Sequence, residues 1–286
     1  MTVFRIRNAA IAAAVVTAGS VALSLGTASA APVAHHARPT AALPIITVTM
    51  NGKSIAVSGA LQSGGVQVVS KVTNEQAGGP TFVRLDPGVT LAELFKHFRQ
   101  ISADPNNLDG LGSIVMSAGA PKGTSSVQVT LAPGQYVALD LGRQSSKPPL
   151  VPFTVSKATA PAKLPAPAAT VTSIEFAFRG PSVLHDGQLV RFGNNGFLIH
   201  MIVAVRASSL ANARKLAALL KAGQDRKAQH LADGFATFDG GISHQAYQQL
   251  VVHAKPGYWV IACFMDTQDH REHTVLGMER VIRIVK

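Results

Sequence analysis

One motif occurs twice in this chain, and its recurrence limits the fold more than any other feature. LAPGQYVALDL begins at Leu131 and HAKPGYWVIACF at His253, so that Gly134 and Gly257 stand 123 positions apart. Each copy places a proline-glycine turn before an apolar strand. LDGLGSIVMSAGAP from Leu108 and LADGFATFDGGIS from Leu231 keep the same offset of 123. GGVQVVSKVTNE from Gly64 matches DGQLVRFGNNG from Asp186 in pattern, at a slightly different offset. The copies close on PFTVSK at Pro152 and RVIRIVK at Arg280. Between them ATAPAKLPAPAAT, residues 158–170, reads as an extended Pro/Ala spacer. The chain therefore divides into units at 45–157 and 171–286, each of about 115 residues, an ordinary domain size.

Most of each unit reads as short strands. ITVTM, VQVVSKV, SVQVTL, QYVALDL, IEFAF, QLVRF, QQLVVH and YWVIACF are β-branched, mostly alternating and bounded by turn residues. One helix is expected per unit. Thr90 and Glu93 form a capping box ahead of LAELFKHFRQ, where Leu91, Leu94, Phe95 and Phe98 share a face. Ser208 or Ser209 opens LANARKLAALLKAG, and Gly223 stops it. The expectation is a mainly β protein of two tandem Greek-key β-sandwiches, each with one helix inserted.

Residues 1–30 have the form of a secretory signal peptide: Arg5 and Arg7, an apolar run from Ala9 to Leu25, then Ala28-Ser29-Ala30. Residues 31–44, rich in Ala, Pro and His, read as a disordered leader. The mature chain is expected to be secreted, with no membrane span. Removing the two arginines lowers the formal charge from +11 to +9. Such a surface attracts acidic partners. Its bases are scattered without interleaved aromatics, which argues against nucleic-acid binding. Cys263 is the one cysteine, so no disulfide forms within the chain.

Four residues of the second unit form a possible constellation: His200, Cys263, His273 and Met278. Taken singly, Cys263 reads equally as a buried inert thiol, His200 as a core histidine and Met278 as core filling. Taken together, a thiolate, two imidazoles and a thioether are the soft donor set that holds copper for electron transfer.

These segments resemble those of the cupredoxins, the blue-copper sandwich family. NNGFLIH resembles the Asn-rich turn before the first copper histidine. PGYWVIAC resembles the turn and strand that deliver the copper cysteine. HTVLGM before VIRIV resembles the family's histidine, Gly-Met pair and last strand. The resemblance covers residues 171–286 and is faint over 45–157. It implies His200, Cys263, His273 and Met278 as copper ligands. Nine residues, FMDTQDHRE, separate Cys263 from His273, more than the family's few. The spacing predicts a loose polar loop, with His270 as a substitute ligand. In the first unit Asp140 stands at the position of Cys263 and NEQAGGPTFV holds no histidine, so this unit is expected to lack the site.

The leading expectation is a secreted copper-binding protein, carrying electrons or holding copper and working with a redox or cell-envelope partner. The alternative is a metal-free binding or structural module on the same scaffold. A two-domain copper oxidase or reductase ranks last, because it needs further histidines from the first unit. No hydrolytic arrangement is legible, so no enzymatic activity is expected.

Overall fold

The alternating apolar segments form strands, and the chain is mainly β. The computed structural model describes residues 42–100, 108–142 and 148–286, with the backbone alone for 97–100. The signal-like segment, most of the leader and the His97 side chain therefore lie outside the described residues. The first half runs β1 (Ile45–Met50), β2 (Ile55–Gly59), β3 (Gly64–Gly78), β4 (Pro80–Leu85), α1 (Leu91–Gln100), β5 (Gly112–Ser117), β6 (Ala120–Leu131), β7 (Gly134–Asp140) and β8 (Leu150–Val155). The second runs β9 (Ala169–Ile174), β10 (Ala177–Arg179), β11 (Val183–His185), β12 (Leu189–Asn194) and β13 (His200–Ala207). It continues with α2 (Leu210–Lys221), α3 (Asp225–Gln229), β14 (Ala232–Ile242), β15 (Tyr247–Val251), β16 (Gly257–Ala262) and β17 (Glu279–Val285). No helix among the described residues is long and apolar enough to cross a membrane.

Three sheets result, ordered β10-β9-β12-β15-β6-β3-β1-β2, β11-β17-β16-β13-β14 and β5-β4-β7-β8. Half by half the orders correspond: β2-β1-β3-β6 with β10-β9-β12-β15, and β5-β4-β7-β8 with β14-β13-β16-β17. Side chains correspond too. Tyr136 Oη donates to Ala132 O at 2.8 Å, and Trp259 Nε1 donates to Lys255 O at 3.0 Å, each four residues upstream. The offset of 123 fits β7 and β16, where Arg84 faces Tyr136 and Arg206 faces Trp259. It fails for β5 and β14. Val83 faces Ile114 while Val205 faces Phe235, an offset of 121, because register shifts in both pairings absorb residues.

The halves meet edge to edge, with Gln248 facing Val129 and Gln249 facing Gln128. Both glutamines are fully buried and satisfied. Gln248 Nε2 donates to Phe238 O at 2.7 Å, and its Oε1 accepts from Ser117 N at 3.1 Å. Gln249 Oε1 accepts from Arg191 Nε at 2.8 Å, and its Nε2 donates to Pro165 O at 3.1 Å. The Pro/Ala segment is pinned along its length: Gly65 N donates to Ala162 O at 2.7 Å, and Ala168 N to Leu189 O at 2.8 Å.

Strands β4 and β7 are buried on both faces. Phe82, Tyr136 and Ala138 pack with Val48, Val68 and Phe153 in one core. Val83, Leu85 and Val137, with Leu94 of α1, belong to a second core continuous with Phe192, Ile202, Trp259, Cys263 and Met278. Each such aliphatic or aromatic side chain contributes about 1.5–3 kcal/mol by leaving water.

Two expectations need correction. IEFAF is not one strand: β9 ends at Ile174, and the chain turns through Glu175 and Phe176, whose φ of 55° lies in the left-handed region. The second half carries two helices rather than one. Ser209 caps α2 through Oγ, accepting from Asn212 N at 3.1 Å, and after Gly223 (φ 65°) the short α3 follows. The Thr90–Glu93 box forms reciprocally, with Thr90 N donating to Glu93 Oε2 at 2.7 Å and Glu93 N to Thr90 Oγ1 at 3.2 Å.

Candidate metal centre

His200 opens β13, Cys263 directly follows β16, and His273 lies between β16 and β17. The fold brings these three together. His200 Nδ1 is 3.1 Å from His273 Nδ1, and Cys263 Sγ lies 3.8 Å and 3.3 Å from those nitrogens. All three residues are 0% exposed. Met278 is buried in the same core as Cys263. Its N donates to His273 O at 2.9 Å, and its O accepts from Cys263 N at 3.1 Å.

The nine residues after Cys263 are not a loose loop. They fold back as a hairpin: His273 N donates to Met265 O at 2.8 Å, Asp266 bridges Glu272, and Thr267 N donates to Arg271 O at 2.8 Å. Backbone pairing replaces a short connection as the device that returns His273 to Cys263. His270 sits exposed at the tip with φ 62°, outside the cluster of donors, so the substitute ligand is not brought to the site.

Asn194 sets the approach to His200. Its Nδ2 donates to Leu198 O at 2.7 Å and to Ile242 O at 2.8 Å, while its Oδ1 accepts from Gly196 N at 2.8 Å. Gly196 leaves no room for a side chain, since a Cβ there would lie 2.7 Å from His200 Nε2. On the far side Phe176 meets the His273 ring edge-on, with centroids 5.2 Å apart. Sequence reasoning caught the asparagine within NNGFLIH, but it passed over Glu175 and Phe176, because nothing in IEFAF marks a turn. Asp239 was also missed. It is buried beneath the site and accepts from Ile202 N at 3.0 Å.

Burial dominates the electrostatics. It lowers both His200 and His273 to about 4, and the neighbouring His200 adds to the depression at His273. Both imidazoles are therefore neutral donors at physiological pH. Burial pushes the Cys263 thiol up to about 12. The Met201 and Met265 amides oppose that rise, and the Asp239 and Glu272 charges add to it. Burial also raises Asp239 to about 7, against hydrogen bonds from Ile202 and Gly241.

The donor set fits a soft first-row ion. With metal–nitrogen bonds of about 2.0 Å and a metal–sulfur bond of about 2.3 Å, trigonal donors lie about 3.5 Å (N to N) and about 3.7 Å (S to N) apart. The separations found here, 3.1, 3.3 and 3.8 Å, differ by a few tenths of an ångström. His200 Nε2 and His273 Nε2 are also buried without a hydrogen-bond partner.

The same strand position in the first half is filled differently. Met201 N donates to Cys263 Sγ at 3.3 Å, whereas Gly79 N donates to Asp140 Oδ1 at 2.8 Å. Counting six residues back from Arg84 and from Arg206 puts Gly78 where the second half has His200.

The chain matches no family model, and no curated protein matches it. Among solved structures it is similar to a dithionite-reduced auracyanin from Roseiflexus castenholzii, at 17% identity over 41% of this chain and 95% of that one, with a TM-score of 0.26. It is similar to an azurin from Methylomonas sp. strain J at 14% identity, over 41% of this chain and 96% of that one, TM-score 0.23. A copper-containing nitrite reductase from Thermus scotoductus is similar at 13% identity, over 85% of this chain and 67% of that one, TM-score 0.25.

Proposed function

We propose that this chain is a secreted copper protein of cupredoxin type, built as a tandem pair of Greek-key sandwiches whose first copy has lost the site. One observation carries the reading: Cys263 Sγ, His200 Nδ1 and His273 Nδ1, distant in sequence, converge in the buried interior at separations of 3.1–3.8 Å. Cys263 would supply the thiolate bond, His200 and His273 the two imidazoles, and Met278 a weak thioether donor. Copper held this way supplies one-electron chemistry, and the hairpin and the Asn194 network keep its donors in place. Electron carriage or copper holding, with an acidic redox or envelope partner, suits this basic chain better than an enzyme's role. Asp140 and Gly78 stand where a second thiol and imidazole would be needed. The test is Cu(II) addition to the purified protein. Strong visible thiolate-to-copper absorption, abolished by Cys263→Ser, is expected. A colourless protein that also fails to retain Cu(I) would leave a metal-free scaffold.

A further inference from the structure

The turn that interrupts IEFAF places its two side chains against the two imidazoles, and the Glu175 charge also reaches His273. Phe176 lies edge-on to His273. Glu175 reaches over the loop before His200, where its Oε1 accepts from the amides of Phe197 and Leu198 and lies 3.9 Å from His200 Nε2. That nitrogen faces away from the donor cluster, is fully buried and has no hydrogen-bond partner. Gly196 borders the gap, since a Cβ there would lie 2.7 Å from both Glu175 Oε1 and His200 Nε2. No side chain therefore separates carboxylate from imidazole. The carboxylate is itself 41% exposed, whereas the ring it faces is buried.

We infer that Glu175 is the positioning residue of the copper site: its carboxylate, 3.9 Å from His200 Nε2, favours the proton on that nitrogen, leaves Nδ1 for the metal and favours the more highly charged Cu(II) over Cu(I). The inference rests on the copper reading above. Ligating histidines commonly hand their second nitrogen to a carboxylate, which fixes the tautomer and raises donor strength. A fixed negative charge on that partner stabilises the dication more than the monocation.

The test compares the full wild-type chain with Glu175→Gln and Glu175→Ala. In the metal-free protein, imidazole nitrogen-15 shifts report which His200 nitrogen holds the proton. Wild type is expected to hold it on Nε2, and Glu175→Ala to mix the tautomers. In the copper-loaded protein, Glu175→Ala should weaken Cu(II) roughly 10–100-fold and Cu(I) less, so that the midpoint potential rises. Glu175→Gln keeps an acceptor for the two loop amides and should raise the potential without loosening the loop. Unchanged tautomers and potential in both variants would overturn the inference. Equal weakening of both oxidation states with a lower melting temperature would also overturn it, leaving Glu175 as a loop cap. A wild type that takes up no copper would sink the metal reading instead, while the tautomer measurement would still decide the contact.

Discussion

The two halves solve one structural problem in two ways. At the end of β7 and just after β16 a side chain must accept an amide from the neighbouring strand. Asp140 does so with a carboxylate oxygen, taking Gly79 N at 2.8 Å and Gly142 N at 3.1 Å. Cys263 does so with sulfur, taking Met201 N at 3.3 Å. The carboxylate clasps two backbone segments so closely that a Cβ on Gly79 would lie 2.5 Å from Gly142 N. The sulfur instead leaves space that two imidazoles fill. What separates a structural clasp from a candidate metal centre is therefore the side chain at this position, the two histidines beside it and the room its neighbours concede.

The largest expected effect breaks this comparison outright. Cys263→Ser should remove the copper absorption completely, whereas Asp140→Asn should leave its position and intensity unchanged. If Asp140→Asn dims the copper band as strongly, the halves are not independent at this position. Next in size is Gly142→Ala. Its Cβ would lie 2.5 Å from Gly78 C, so it should lower stability by about 3 kcal/mol in guanidinium unfolding. A shift within error would show that the clasp is loose.

The pH response of the metal-free protein sharpens the contrast, because the second half holds two buried histidines for which the first half has no counterpart at the matching positions. Unfolded imidazoles take up protons near 6.5, but His200 and His273 refuse them until about 4. Stability therefore falls as pH falls through this window, and this loss is complete below about 4. Asp239 acts in the opposite sense. Its folded carboxyl stays protonated up to about 7 against 3.8 unfolded, so its stabilisation is lost as pH rises. Between pH 4 and 6.5 two protons favour the unfolded chain and one the native. The two histidines outweigh the one carboxyl, so the net slope is a loss of stability as pH falls. Calorimetry should show that slope, and a His200→Gln/His273→Gln double variant should reverse its sign. The smallest effect is His270→Ala, which should leave copper absorption and melting temperature unchanged. A bleached or shifted band would return His270 to the ligand set.

How much of this was legible depended on the range of the interaction. The three donors were legible because each sits beside a local marker: the asparagine turn before His200, the proline-glycine strand ending at Cys263, and the Gly-Met pair after His273. The Thr90–Glu93 capping box, the serine cap of α2 and most strands were legible for the same local reason. The hairpin after Cys263 was not, because Asp266 and Glu272 pair through backbone atoms that carry no residue signature. Nor was the break at Phe176, where a bulky residue adopts a φ usually left to glycine. The joining of the halves through Gln248 and Gln249 was hidden as well. Glutamine on a strand reads as a surface residue, and only the meeting of β6 with β15 buries it.

The hairpin also separates length from geometry. Its lower rungs, Met265 with His273 and Asp266 with Glu272, hold the base, so what happens at the Asp269–His270 tip does not travel down to the donors. Residues could be added or exchanged there, even a recognition peptide, while the interior stays as it is. The chain thus owns an adjustable outer handle mounted beside a fixed inner chamber.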